Sequence, residues 1–192
     1  MGYKTACTTG AGLSNSRLGV PDVGIMGLSD NVEACRMIAR SVSIPVMADA
    51  DTGYGTPANM LHTVRLFEDA GVAGINIEDQ VSPKRCGHMD NKEVVDINEA
   101  VSKISTAVRS RDSDRFLIMA RTDSRATHDL DEALRGAAFL NAGADILFIE
   151  APRSVTEMEV IKQVFPDTVL VANMVEDGST PELTTTQLAE LG

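Results

Sequence analysis

The chain has 192 residues and a formal net charge of −11, enough length for one domain with a sizeable core. The acidic balance, with no basic run, argues against a nucleic-acid partner, and the absence of Trp removes a ready platform for stacking bases. No apolar stretch nears the ~18 residues of a membrane span, and the N-terminus lacks the charged-then-apolar pattern of a secretory signal. Cys7, Cys35 and Cys86 are odd in number and widely spaced, without a CxxC, so neither a disulfide framework nor a zinc site is indicated. The expected compartment is a reducing cytoplasm.

In chain order, Tyr3 to Cys7 reads as a strand ending in Thr8-Thr9-Gly10-Ala11-Gly12, followed by a loop with Pro21, Asp22 and Gly24. Asp30 to Val42 reads as a helix capped by Ser29 or Asp30, with Val32, Cys35, Met37, Ile38 and Val42 available for its apolar side. Pro45-Val46-Met47-Ala48 is a short apolar run that suits a buried strand, and Asp49 and Asp51 end it. Thr56-Pro57 opens a helix as N-cap and first helical residue, and Gly71 is placed to close it. Ala73 to Ile77 is a strand ending in Glu78-Asp79-Gln80, and a polar loop runs through Pro83-Lys84-Arg85-Cys86-Gly87-His88. Asp96-Ile97-Asn98-Glu99 starts a helix to Val108. Phe116 to Ala120 is a strand ending in Arg121-Thr122-Asp123, and a helix runs from Asp129 to Asn141, closed by Gly143. Ile146 to Ile149 is a strand ending in Glu150, and Ser154 caps the next helix. Val169 to Ala172 is a strand ending in Asn173, and Thr184 opens a last helix that runs to Gly192.

Six strand-then-helix units without a linker argue a parallel sheet with helical crossovers. Every strand ends in a polar group: Thr9, Asp49 with Asp51, Glu78, Arg121, Glu150, Asn173. In a (β/α)8 barrel the loops after all the strands converge on one catalytic face, whereas in a doubly wound sheet only the strands at the switch point do. The expected fold is therefore α/β, a TIM-type barrel with six of its eight β/α units in this chain. On this reading residues 1–192 are a single domain that lacks one strand before Met1 and one after Gly192.

Residues two apart on a strand share a face, so Asp49 and Asp51 are expected to point the same way, with nothing cationic beside them in sequence. Like charges held that close resist joint ionisation unless a cation sits between them. Mg²⁺ suits the place, because it takes one or two carboxylates and completes its shell with water and substrate oxygens. Aspartates that merely cap a turn are the alternative. Glu78 adds a carboxylate on the neighbouring strand. Arg121 would grip a substrate carboxylate bidentately or form a structural ion pair with Asp79 or Glu150. Asn173 fits a substrate contact or a turn donor. Cys86 lies beside Lys84, Arg85 and His88, surroundings that lower a thiol pKa and give access; it reads as a proton donor or nucleophile, or as an incidental loop cysteine. Cys35, at helical spacing among apolar residues, belongs to the core, and Cys7 within a strand reads as packing.

Asp49-Ala50-Asp51-Thr52-Gly53-Tyr54-Gly55, Ile77-Glu78-Asp79-Gln80, Lys84-Arg85-Cys86-Gly87-His88 and Ala120-Arg121-Thr122-Asp123 resemble the signatures of the isocitrate lyase/phosphoenolpyruvate mutase superfamily. The Lys-Arg-Cys-Gly-His loop resembles its lyase branch. The resemblance implies Mg²⁺, with Mn²⁺ as a substitute, at Asp49 and Asp51, and places Asp22 near the metal. It implies catalytic roles for Cys86, His88, Glu78 and Arg121, and substrate contacts from Thr9, Gly10, Ala11, Gly87, Arg121, Glu150 and Asn173. It further implies a gating loop that carries Cys86 and Gly87, and a homotetrameric full-length protein. Cys7 stands where similar proteins often have an aromatic residue. The expected reaction is Mg²⁺-dependent cleavage of a small 2-hydroxy di- or tricarboxylate, of the 2-methylisocitrate or 2,3-dimethylmalate type, to a 2-oxo acid such as pyruvate plus a carboxylate. Oxaloacetate hydrolysis or decarboxylation at the same site, or a non-catalytic barrel fragment, are the alternatives.

Overall fold

The computed structural model describes residues 2–86 and 91–191. Six strands, β1 (Ala6–Cys7), β2 (Val46–Asp49), β3 (Gly74–Glu78), β4 (Leu117–Thr122), β5 (Ile146–Ile149) and β6 (Val169–Val171), form one sheet in the order β1-β2-β3-β4-β5-β6. Every neighbouring pair is parallel. A doubly wound sheet reverses its strand order at a switch point. A sheet that keeps adding strands on the same edge, each rotated in one hand against the last, curls into barrel wall instead. The six strands are thus a half-barrel.

The α-helices among the described residues are α1 (Gly10–Leu13), which runs on into a π-helical turn at Ser14–Leu18, α2 (Leu28–Ser41), α3 (Pro57–Asp69), α4 (Ile97–Ser110), α5 (Ser124–Thr127), α6 (Leu130–Ala133), α7 (Gly136–Asn141), α8 (Val155–Val164) and α9 (Thr185–Leu191). Ile75 and Ile77 of β3, Ile118 and Ala120 of β4, and Leu147 and Ile149 of β5 share one buried core with Val64 and Phe67 of α3, Ile104 of α4 and Phe139 of α7. Burying each large apolar side chain stabilises by roughly 1.5–3 kcal/mol, so a one-residue slip, which exchanges the two faces of a strand, is strongly disfavoured. The alternate residues Met47, Met119 and Phe148 form a separate, smaller cluster on the other face. That register sets Asp49 opposite Asn76, Glu78 opposite Arg121, and Arg121 opposite Phe148.

Local chemistry explains most element boundaries. Thr56 and Pro57 start α3, and Gly71 follows it with φ of 85°, as the sequence predicts. Asp96 and Ser154 accept backbone N–H bonds as N-caps of α4 and α8. Several boundaries shift by one or two residues, and four differences are larger or bear on the site. Pairing of β1 begins only at Ala6, where its N–H donates to Pro45 O. Thr9, read as the end of the first strand, is the N-cap of α1, its Oγ1 accepting from Gly12 N–H at 2.8 Å. Helix α2 starts at Leu28 with Gly27 as N-cap, and Asp30, three residues in, accepts from Gly27 N–H. The helix expected from Asp129 to Asn141 is two pieces, α6 and α7. Between them the chain turns so that Gly136 meets β5, where a Cβ on Gly136 would lie 2.7 Å from Leu147 Cδ2.

Candidate active site

A cavity of about 430 Å³ opens among the strand ends and the loops that follow them, lined by Thr9, Gly10, Ala11, Asp49, Glu78, Cys86, Arg121 and Asn173 among others. The parallel register therefore gathers most of the residues singled out in sequence. Asp51 and Glu150 are not in its wall but behind it. Asp51 contacts Lys84, and Glu150 Oε2 lies 3.4 Å from Asn173 Nδ2 and 3.5 Å from Arg121 Nη1. Gly87 and His88 fall outside the described residues.

On the acidic side, Asp49 Oδ2 accepts from Gly10 N–H at 2.9 Å, while Oδ1 lies 3.3 Å from Asp51 N and 3.4 Å from Asn76 Nδ2. The expectation that Asp49 and Asp51 share a strand face fails. Strand β2 ends at Asp49, and Asp51 has left-handed backbone, φ 48°, so alternation along an extended chain no longer applies. The expectation that no cation attends them also fails in space. Lys84 Nζ lies 2.7 Å from Asp51 Oδ1 and 2.6 Å from Asp22 Oδ1. Gly10 makes room for this triad, because a Cβ there would sit 2.9 Å from both Asp51 Oδ1 and Lys84 Nζ. Burial, then Asp49, pushes the Asp51 carboxyl up to about 6, against the pull of Lys84. Burial works against the Lys84 charge, but Asp51 and Glu78 outweigh it and hold the ammonium above its usual range.

Asn31 of α2, which the sequence reading missed, ties the two aspartates together. Its Nδ2 donates to Asp49 O at 2.7 Å and to Tyr54 Oη at 2.6 Å, and Tyr54 donates on to Asp51 Oδ2 at 3.1 Å. A signal existed: Asn31 falls on one helical stripe with Ala34, Cys35 and Ile38, where a polar residue must find partners.

On the cationic side, Arg121 is held by Asp123 rather than by Asp79. Arg121 Nε donates to Asp123 Oδ2 at 2.8 Å and Nη2 to Oδ1 at 2.9 Å, while Lys92 Nζ adds a third bond to Oδ1 at 2.8 Å. Asp79 instead accepts from Asp123 N–H at 2.9 Å and lies 3.8 Å from Arg135. The Arg121 guanidinium also stacks 4.9 Å above the Phe148 ring centroid. Burial opposes ionisation of Asp123, but Arg121 and Lys92 outweigh it and hold the carboxyl below its usual range. Glu78, 3.6 Å from Arg121, is held well above the carboxylate range by burial, which Arg121 only partly offsets.

Cys86 is half-buried, and its N–H donates to Asp22 O at 3.1 Å. Cys7 also lines the cavity and is exposed, so it is not the packing residue expected. Cys35 is buried in the core as expected, its thiol pushed up to about 11 mainly by burial.

The donor set suits a hard divalent cation. Glu78 Oε1 and Asn76 Oδ1 are buried oxygens with no hydrogen-bond partner among the described residues, on side chains that line the same cavity as Asp49. No group of three His, Cys, Asp or Glu side chains forms a complete metal cage among the described residues. Mg²⁺ does not need one, since it keeps water and substrate oxygens as ligands.

The family model described as phosphoenolpyruvate phosphomutase matches residues 1–192. The chain is 49% identical to 2,3-dimethylmalate lyase of Eubacterium barkeri over 193 residues, covering all of this chain and 66% of the relative. It is 42% identical to 2-methylisocitrate lyase of Escherichia coli, covering 97% of this chain and 64% of the relative. The chain thus spans just under two thirds of the length of these relatives. Among solved structures, 2,3-dimethylmalate lyase, a PEP mutase/isocitrate lyase superfamily member, superposes with a TM-score of 0.95 at 39% identity, over 99% of this chain and 64% of that one. Oxaloacetate acetylhydrolase in complex with 3,3-difluorooxalacetate gives 0.94 at 35% identity, over 99% and 66%. Phosphonopyruvate hydrolase with oxalate and Mg²⁺ gives 0.83 at 34% identity, over 99% and 65%.

Proposed function

The chain belongs to the phosphoenolpyruvate phosphomutase family, within the PEP mutase/isocitrate lyase superfamily, and we propose that its cavity is the active site of a carbon–carbon lyase. The substrate is a small 2-hydroxy di- or tricarboxylate of the 2,3-dimethylmalate or 2-methylisocitrate type, cleaved to a 2-oxo acid such as pyruvate and a second carboxylate. The observation that carries this reading is that a thiol and a guanidinium, Cys86 and Arg121, line one cavity with the carboxylates Asp49 and Glu78.

Arg121, oriented by the Asp123 fork, pairs with a substrate carboxylate, and Asn173, backed by Glu150, donates to a substrate oxygen. Thr9 and Ala11 contribute at the β1 end; the Gly10 N–H is already committed to Asp49. Asp49 and Asp51 would hold Mg²⁺ or Mn²⁺, which when bound supplies positive charge to the substrate's hydroxyl and carboxylate oxygens. Loss of the hydroxyl proton turns that C–O bond into the new carbonyl as the neighbouring C–C bond breaks. The released electron pair remains on the α-carbon of the departing carboxylate, and Cys86 gives that carbon its proton. The family resemblance further supports a cytoplasmic homotetramer as the working form.

The likeness to oxaloacetate acetylhydrolase favours one second reading, hydrolysis of oxaloacetate at the same site. A product assay separates the two. With Mg²⁺ present, pyruvate released from 2,3-dimethylmalate or 2-methylisocitrate establishes the lyase. Oxalate released from oxaloacetate establishes the hydrolase. No product from any of the three acids leaves a non-catalytic fragment.

A further inference from the structure

The segment that carries Cys86 is held at three consecutive residues. Lys84 is ion-paired with Asp22 and Asp51, and Cys86 N–H donates to Asp22 O. Between them, both backbone polar groups of Arg85 are bound by one side chain. Arg85 N–H donates to Gln80 Oε1, and Gln80 Nε2 donates to Arg85 O, each at 3.0 Å. A primary amide has one acceptor and two donor hydrogens, so it can pair with a residue's N–H and C=O as a neighbouring strand would. Gln80 is itself 1% exposed. Its backbone is fixed by a bridge to Val94 and by Val81 N–H donating to Glu93 O at 2.8 Å, which closes the base of the Cys86 loop. An amide buried this deeply is costly unless it is hydrogen-bonded, and here its bonds run to the residue before Cys86.

We propose that Gln80 is the positioning residue of Cys86: its amide fixes the backbone of Arg85 and so the direction in which the Cys86 thiol meets the cavity. The consequence for turnover rests on Cys86 acting as proton donor, but the positioning can be measured without turnover. The three thiols make the protein its own control, with Cys86 half-buried, Cys7 exposed and Cys35 buried. The protein is alkylated with iodoacetamide under native conditions, and each cysteine is followed by peptide mass spectrometry.

Gln80→Met keeps the length and bulk of the side chain but neither hydrogen bond. In that variant the Cys86 rate relative to Cys7 should rise about tenfold, the order expected when groups held by two hydrogen bonds are freed, with Cys35 still unlabelled. Gln80→Glu keeps an acceptor for Arg85 N–H and, held protonated by the same burial, a single hydroxyl donor for Arg85 O, and should give a smaller rise. An unchanged ratio in both variants overturns the proposal. So does a rise that comes only together with Cys35 labelling, because that reports general opening rather than release of one segment. In a protein that shows turnover, Gln80→Met should lower kcat with KM held. Normal turnover combined with faster Cys86 labelling would keep the clamp and count against Cys86 as the donor.

Discussion

Lys84 Nζ lies 2.7 Å from Asp51 Oδ1, and both side chains are buried. Neither charge would be stable there alone, because desolvation of an unpaired ion outweighs what packing returns. Lys84→Met should therefore leave Asp51 and Asp22 facing each other without a cation. The expected loss is on the order of 3–5 kcal/mol, the range for breaking a buried ion pair from one side. It should appear as a lower urea midpoint at unchanged slope. A midpoint equal to the parent's would mean that the triad carries no stability.

Asp49 lines the cavity and Asp51 does not, so the two should respond differently to loss of charge. Mg²⁺ at a hundred times its Kd should stabilise the parent by ~2.7 kcal/mol through mass action. Asp49→Asn should lose nearly all of that metal-dependent rise in Tm. Asp51→Asn should lose part of it and also begin from a lower Tm, since Lys84 loses a partner. Calorimetric melts with and without Mg²⁺ make the comparison. An equal Mg²⁺ shift in the parent and Asp49→Asn would remove Asp49 from the metal's ligands.

Asp79 gives a pH dependence of known sign. Its carboxyl is buried at 3% exposure, and burial raises it from 3.8 to about 6 against the bond it accepts from Asp123 N–H. Between those two values the folded protein binds this proton more tightly than the unfolded chain, so stability falls as pH rises through the window. Above it the whole cost is present, on the order of 2–3 kcal/mol. Asp79→Asn keeps an oxygen for Asp123 N–H and removes the titration. The stability of Asp79→Asn relative to the parent should thus increase from pH 4 to pH 7 in urea unfolding, and a pH-independent difference would contradict the assignment.

What could be read in the sequence, and what could not, divides along a physical line. Asp49, Glu78, Arg121 and Asn173 were legible because each follows a short apolar run, and parallel pairing carries all strand ends to one face. The partners of those residues were not. Lys84 reaches Asp51 from the loop after the next strand, and Lys92 reaches Asp123 from the far side of that loop. Such pairings depend on loop paths, which hydrophobic periodicity does not encode. Asp51 was misplaced because a left-handed residue just past β2 cancels the two-residue alternation. Asp123 was overlooked as the Arg121 partner, since two residues along an extended strand are too far apart for a bidentate pair. The chain leaves β4 at Thr122, and the Asp123 carboxylate meets the guanidinium.

Cys86 remains the sharpest test of the chemistry, in a protein that shows turnover. A positioned proton donor contributes roughly 10²–10⁴-fold, so Cys86→Ala should lower kcat by that factor. Its contact with Asp22 is made by the backbone N–H, which alanine keeps, so that tie of the loop survives the substitution. Mg²⁺ affinity should hold, because Asp49 and Asp51 lie at the end of β2 and in the turn that follows it. KM should change little, since the proton moves only as the carbon–carbon bond breaks. Cys86→Ser should restore little activity, because a hydroxyl is a far weaker acid than a thiol. The pH profile supplies an independent check. A thiol donor must carry a proton when it acts, so the pH dependence of kcat should differ between the parent and the residual activity of Cys86→Ala. A purely structural cysteine would give the opposite pattern, with a lower Tm and near-normal turnover in the folded fraction. Parental kcat in Cys86→Ala would eliminate the donor role.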